Sequence, residues 1–168
     1  MTAYYSIFST LLGEFSVAVN EDGALLATAF GDVEALKQRF RAGNLVRDAW
    51  RTNEVREQIA AYFAGECREF SLAMAPAGTP FQQRVWSALR QIPFGETRTY
   101  GQLAAHLGNP AGSRAVGRAN ATNPICLIVP CHRVIGSDGS LTGFAFGEVI
   151  KRRLLEHERA LNAQSRAA

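Results

Sequence analysis

The residues best suited to chemistry stand together in the second half of the chain. An uncharged run, Ile125-Cys126-Leu127-Ile128-Val129, leads into Pro130-Cys131-His132-Arg133-Val134. A thiol becomes a strong nucleophile only as the thiolate, and a nearby imidazole can take its proton. In an extended chain neighbouring side chains point to opposite faces, so Cys131 and His132 would work through one intervening water rather than by direct contact. The histidine would also need an orienting partner, most simply a carboxylate. The competing reading is an inert buried cysteine beside a loop histidine. Cys67, Cys126 and Cys131 form no C-x-x-C pair. That pattern disfavours a disulfide framework or a Cys-rich zinc site and fits a reducing, intracellular setting.

Several elements have to position these residues. Glu14–Asn20 alternates polar and apolar side chains, Glu21-Asp22-Gly23 is a turn, and Ala24–Phe30 is a second apolar run. Together with the residues before them they read as an antiparallel meander. Asp32 is placed to cap a helix over Val33–Arg41. Asn53 is placed to cap one over Glu54–Phe63, with Val55, Ile59, Tyr62 and Phe63 on one face and Gly65 ending it. Residues 71–79 lack charge and periodicity and read as a linker between a domain at 1–75 and another at 76–168.

Thr79-Pro80 then starts a helix that carries Phe81, Val85, Trp86 and Leu89 at three- and four-residue spacing and stops at Pro93-Phe94-Gly95. Thr99-Tyr100-Gly101-Gln102 is a capping box for a short helix reaching Gly108. Ser113 is placed to cap a further short helix, Arg114–Ala121, which Asn123-Pro124 closes. Ile125–Val129 reads as a buried strand or extended segment. Two short helices joined by a glycine-containing turn resemble a helix-turn-helix.

Charge reinforces this division. Residues 1–75 hold 7 Lys/Arg and 10 Asp/Glu (−3), while residues 76–168 hold 11 and 5 (+6). A basic second half suggests an anionic partner such as nucleic acid. Apolar residues make up 47% of the 168 positions and charged residues 20%, enough to build a core and to argue against disorder. No apolar stretch is long enough to span a membrane, and the first residues lack a secretory signal pattern. The expected location is the cytoplasm.

Gly78-Thr-Pro-Phe-Gln82, Ile92-Pro-Phe-Gly-Glu-Thr97, Ser113-Arg-Ala-Val-Gly117, Asn123-Pro124 and Pro130-Cys-His-Arg-Val134 occur in this order. Together they closely resemble the O6-alkylguanine-DNA alkyltransferase family, whose enzyme name is methylated-DNA–[protein]-cysteine S-methyltransferase. The resemblance is strong from about Glu54 to Glu158 and weak before that. It implies an α/β protein: a small N-terminal ribonuclease-H-like sheet domain, then a helical, winged or helix-turn-helix-like domain holding the reactive cysteine. It also implies single-turnover repair, with an alkyl group passing irreversibly from O6-alkylguanine in double-stranded DNA to Cys131. O4-alkylthymine is a less secure substrate.

By the same resemblance, His132 is a water-mediated base and Glu158 the carboxylate that orients it. Asn123 braces the turn before the cysteine segment. Tyr100 helps rotate the nucleotide and bonds the flipped base, and Arg114 fills the place the base leaves in the stack. Ala115 and Gly117 let the recognition helix approach the minor groove. Gln82, Gly101, Asn109 and Ser137 match positions at or near phosphates. Backbone groups of Cys131, Val134 and Ala145 read the guanine edge, and Phe144–Gly147 walls the base pocket. No cofactor is implied, and the cysteine/histidine set that binds zinc in some members is missing, so no metal is expected. The protein is expected to act as a monomer, with no membrane partner.

This chain departs from the family pattern at Arg118, where many relatives have a small residue, and at Phe146, where many have glycine. A phenylalanine there would meet a backbone conflict if the position required positive φ, and would narrow the pocket. Rival readings are an alkyl-base sensor lacking the acceptor cysteine, a helix-turn-helix regulator without chemistry, and a cysteine hydrolase. The first conflicts with Cys131, the second has no use for Pro-Cys-His-Arg, and the third needs a direct Cys–His contact.

Overall fold

The computed structural model describes residues 1–167. The chain forms two compact units. One holds Met1–Ala77 together with Pro124–Cys126; the other holds Gly78–Asn123 and the chain from Leu127 onward.

The first unit is a four-stranded sheet with two helices. Strands β1 (Thr2–Thr10), β2 (Gly13–Val19) and β3 (Leu25–Phe30) form the expected antiparallel meander. A fourth strand, β4 (Asn44–Arg47), adds parallel to β1, giving the order β3-β2-β1-β4. Its residues are mostly exposed, so no apolar alternation marked it in the sequence. Helix α1 is shorter than expected, Val33–Lys37, although Asp32 caps it by accepting from the Glu34 and Ala35 amides. The chain leaves the helix early because it has to deliver β4 to β1, where the Gly43 and Asn44 amides donate to the Met1 carbonyl.

Helix α2 (Asn53–Phe63) buries Val55, Ile59 and Tyr62. Its N-cap is Thr52, not Asn53. The Thr52 hydroxyl is buried against Ser6 Oγ at 2.7 Å, while the Asn53 side chain bonds Glu57 and Arg56. Phe15 and Phe30 meet edge to face, with centroids 4.8 Å apart, in the sheet's core.

Residues 71–79 do not form a free linker. Ala73 and Ala75 hydrogen-bond Leu25 on the outer edge of β3, and Ser71 pairs with Gln58. Three residues further along β3, the Thr28 amide donates to the Pro124 carbonyl and the Thr28 hydroxyl to the Cys126 carbonyl at 2.8 Å.

The second unit is mainly helical. Helix α3 (Pro80–Leu89) opens with the Thr79/Gln82 capping box and buries Val85, Trp86, Ala88 and Leu89. The Trp86 indole donates to the Ala119 carbonyl at 2.8 Å. A two-residue strand, β5 (Arg98–Thr99), leads into α4 (Tyr100–His106), capped by Thr99 and Gln102 as the spacing predicts. Helix α5 (Ser113–Ala121) follows. Its N-cap is Gly112, not Ser113, which already lies within the helix. A side chain at Gly112 would strike the Asn109 amide.

The Ile125–Val129 run is buried throughout but is not a strand. Leu127 sits at φ +73°, the only non-glycine residue at positive φ among those described, and the chain turns there. Asn123 closes that turn, its Nδ2 donating to the Val129 carbonyl at 2.9 Å. Burial of the Leu127 side chain offsets a left-handed conformation costing roughly 1–2 kcal/mol. Cys131–Arg133 forms one turn of 3₁₀ helix instead of an extended segment. It runs into β6 (Val134–Ile135), which pairs in parallel with β5. Helix α6 (Glu148–Ala167) completes the unit.

Candidate active site and nucleic-acid face

The 3₁₀ turn presents Cys131, His132 and Arg133 in succession, all buried. Successive residues in such a turn are rotated by about 120°, so the three side chains diverge. His132 and Arg133 both reach Glu158, which α6 carries fully buried. His132 Nε2 lies 2.7 Å from Glu158 Oε2. Arg133 Nε donates to Glu158 Oε1 at 2.8 Å, and its Nη2 donates to Oε2 at 3.1 Å. Its Nη1 donates to the Ile92 carbonyl at 2.8 Å. The Gly95 amide adds a bond to Glu158 Oε1 at 3.2 Å.

Burial alone would raise the Glu158 carboxyl. The His132 ring and the Arg133 guanidinium, both hydrogen-bonded to it, together hold it far below the usual carboxylate range. Burial pushes the His132 imidazole below its ordinary value, against the upward pull of Glu158 and with the help of Arg133 and Lys151. A neutral ring here would carry its proton on Nε2, toward the carboxylate. Nδ1 is buried and bare, with no hydrogen-bond partner among the described residues.

Cys131 is 5% exposed. Lys151, one face of α6 below Glu158, is fully buried and donates to the Val134 carbonyl at 2.6 Å. Burial pushes this ammonium below its ordinary value, while Cys131 and Glu148 draw it back up. Burial and then the Cys131 charge push the Tyr100 hydroxyl up, against a hydrogen bond with Asn120. Tyr100 donates to the Thr142 carbonyl at 3.1 Å, and Asn120 Nδ2 lies 3.4 Å from the Cys131 carbonyl. Lys151, Tyr100 and Asn120 thus gather around the thiol, and Val134 is buried beside them.

Of the Phe144–Gly147 segment, Phe144 is buried, Ala145 exposed and Phe146 half-buried. The expected conflict at Phe146 does not arise. Positive φ falls on Gly143 and Gly147 instead, and the Phe146 ring packs edge-on against Phe144 with centroids 5.7 Å apart.

Arg114 stands exposed in the first turn of α5, with Arg118 exposed one turn later. Ala115 and Gly117 are half-buried between them, while Gly101, Asn109 and Ser137 are exposed. Gln82 uses its side chain internally, capping α3 and donating to the Thr122 hydroxyl at 3.1 Å. No acidic residue occurs between Glu96 and Asp138, a stretch that carries Arg98, Arg114, Arg118 and Arg133.

The sequence reading assigned no role to Arg133, Lys151 or Asn120. A signal for Lys151 was present: Lys151, Leu154, Leu155 and Glu158 share one helical stripe, and two charges on an apolar stripe point to a buried partnership.

Both His132 and Glu158 bind protons less readily folded than unfolded. Stability should therefore be fully present above about pH 6.5. It should fall as pH drops through the unfolded histidine range, and again below about pH 4.3 as the unfolded state takes up the carboxylate's proton. Each group contributes a slope of at most about 1.4 kcal/mol per pH unit. Denaturant titrations between pH 8 and 4 should show this loss, and a Glu158→Gln, His132→Gln double variant should flatten it.

Comparison with known proteins identifies the family. Residues 80–160 match the family described as 6-O-methylguanine DNA methyltransferase, DNA binding domain, and residues 3–76 match its ribonuclease-like domain. A methylated-DNA–protein-cysteine methyltransferase of Methanosarcina acetivorans is 46% identical over 160 residues, covering 92% of this chain and 97% of that one. A crystal structure of Mycobacterium tuberculosis OGT in complex with DNA superposes with a TM-score of 0.85 at 40% identity, covering 94% of each chain. The O6-methylguanine-DNA methyltransferase of Pyrococcus kodakaraensis gives 0.62 at 26% identity, covering 93% of this chain and 98% of that one. Matching both domains of one family in their order, this chain belongs to the 6-O-methylguanine DNA methyltransferases.

Proposed function

We propose that this protein repairs DNA directly, moving a methyl or other alkyl group from guanine O6 to the sulfur of Cys131, once per molecule. The observation that carries this reading is a buried cysteine whose neighbouring histidine is hydrogen-bonded at Nε2 to a buried carboxylate and bare at Nδ1. The Cys131 proton passes through one water to Nδ1. The thiolate attacks the alkyl carbon, the S–C bond forms and the C–O6 bond breaks. The electron pair stays on the guanine, and the departing anion takes up one proton from solvent, matching the one the thiol gave up, to be restored as an ordinary base. A thioether is a poor leaving group, so the sulfur is spent.

The O6 atom lies inside the duplex, so the nucleotide must leave the stack. Arg114 fills the gap, Tyr100 meets the rotated nucleotide, and Asn123 fixes the turn that carries the cysteine. Backbone groups of Cys131, Val134 and Ala145 face the guanine edge. The recognition helix lies in the minor groove, with Gly101, Asn109 and Ser137 near phosphates. The protein acts inside the cell as a monomer; no helix among the described residues is long and apolar enough to cross a membrane.

The deciding experiment is mass spectrometry after incubation with duplex DNA carrying O6-methylguanine. A gain of ~14 Da on the Cys131 peptide and nowhere else is expected; an unmodified peptide beside repaired DNA would overturn the reading.

Gly117 tests the groove contact. A Cβ there would lie 3.8 Å from the Tyr100 ring, an ordinary contact. Gly117→Ala should therefore hold or raise stability, by up to about 1 kcal/mol, and still weaken duplex binding by about fivefold or more. Thermal melting and fluorescence anisotropy measure the two sides. Phe146 tests the pocket wall: Phe146→Gly should raise the benzylguanine-to-methylguanine rate ratio more than about threefold, ~0.6 kcal/mol of barrier. A smaller change would leave the Phe144–Phe146 pair as packing only.

A further inference from the structure

Five ionisable groups share the site with His132. Glu158 and Lys151 come from α6, Arg133 and Cys131 flank it on the 3₁₀ turn, and Tyr100 from α4 interacts with Cys131. His132, Glu158 and Lys151 are fully buried and Arg133 is 6% exposed. Net charge is expensive in such a site, and the Lys151 ammonium already makes it positive, so a further positive charge is strongly disfavoured.

Arg133 balances Glu158 by itself. Its guanidinium is pinned by three hydrogen bonds, two to the carboxylate and one to the Ile92 carbonyl, and it lies 5.6 Å from the centre of the Phe94 ring. A proton on His132 would add an uncompensated positive charge, and the Lys151 ammonium makes that costlier. Without the Arg133 charge the balance reverses: Glu158 would then be neutralised best by an imidazolium at Nε2.

We propose that Arg133 is a positioning residue that keeps His132 unprotonated at rest and, by holding Glu158 ionised, makes His132 the end of the proton's path from Cys131. The site then needs no deprotonation step before it can act. The inference rests on the alkyl-transfer reading only for its kinetic consequence. The direction of the His132 shift, below its ordinary value with Arg133 among its causes, agrees with it.

The test is a ¹⁵N NMR pH titration of the imidazoles in the full chain, with His106→Gln and His157→Gln used for assignment. In the wild type His132 should stay neutral, proton on Nε2, from pH 8 to below 6. In Arg133→Gln it should titrate at least about one pH unit higher, a tenfold change in proton affinity. Arg133→Lys, which keeps the charge, should return it to within about half a unit. The acid limb of alkyl transfer from free O6-methylguanine should shift in parallel, whereas a merely structural role for Arg133 would lower the rate equally at every pH. An imidazolium at pH 7 in the wild type, or an unmoved titration in Arg133→Gln, overturns the proposal. Should Arg133→Gln not fold, the wild-type and Arg133→Lys titrations decide. Absence of alkyl transfer at any pH would instead sink the functional reading and leave the titration result standing.

Discussion

Cys131→Ala should abolish alkyl transfer, by at least about a thousandfold, while affinity for duplex DNA should stay within about threefold of wild type. The two effects separate because they have different sources. The sulfur is the acceptor, and alanine offers no atom to alkylate. Binding is expected to come from phosphate contacts on the face that exposes Arg114 and Arg118, and Cys131 is 5% exposed. Cys67→Ser and Cys126→Ala should both retain full transfer. Cys67 lies in the first unit, and Cys126 spends its sulfur on a 3.3 Å contact with the Thr28 hydroxyl, so its loss is a matter of stability. Quantified repair of a labelled duplex, with anisotropy for binding, checks all three. Residual transfer in Cys131→Ala, or its loss in Cys126→Ala without unfolding, would require another acceptor.

Arg114→Ala should slow repair of duplex DNA by roughly thirtyfold or more, and reaction with free O6-methylguanine by less than about threefold. Filling the gap left by a rotated nucleotide offsets part of an unstacking cost of a few kcal/mol, and 2 kcal/mol is about thirtyfold in rate. A free base leaves no gap. Arg114 is exposed in the first turn of α5, so its removal should leave the melting temperature nearly unchanged. Equal losses on both substrates would show that Arg114 serves the chemistry and not the extrusion.

Much of this was legible before the structure because local chemistry set it. The Thr79-Pro80 start and the capping box at Thr99 placed two helices, and alternation followed by an apolar run placed β2 and β3. What escaped was set by distant partners. Asn53 and Ser113 are both good capping residues, yet Thr52 and Gly112 hold the N-cap positions, Thr52 because Ser6, far along the chain, bonds its hydroxyl. Strand β4 has almost no buried side chain to announce it. The uncharged run before the cysteine was recognisable as buried, but its turn at Leu127 depends on one side-chain bond from Asn123. At the site, Cys131 and His132 stood out by type and adjacency, and Glu158 came only by resemblance. Arg133 went unassigned because its carboxylate partner lies 25 residues away, while the signal Lys151 carried, its place on an apolar stripe with Glu158, went unread. Their meaning lies in what they neutralise.

The outer edge of β3 bears on how this protein could be cut or fused. Two separate family matches, over residues 3–76 and 80–160, suggest modules that could be expressed apart. The hydrogen bonds say otherwise. The six buried residues of β3 are covered along that edge by the chain at Met74 and, fifty residues later, by Ile125. A fragment ending near Ala77 would keep the first cover and lose the second. The Thr28 amide and hydroxyl would face open solvent on a flat apolar strand, a ready template for adding a strand from another molecule. Split-protein versions built at the apparent boundary should therefore self-associate, and a peptide spanning Thr122–Leu127 supplied in trans is the natural remedy.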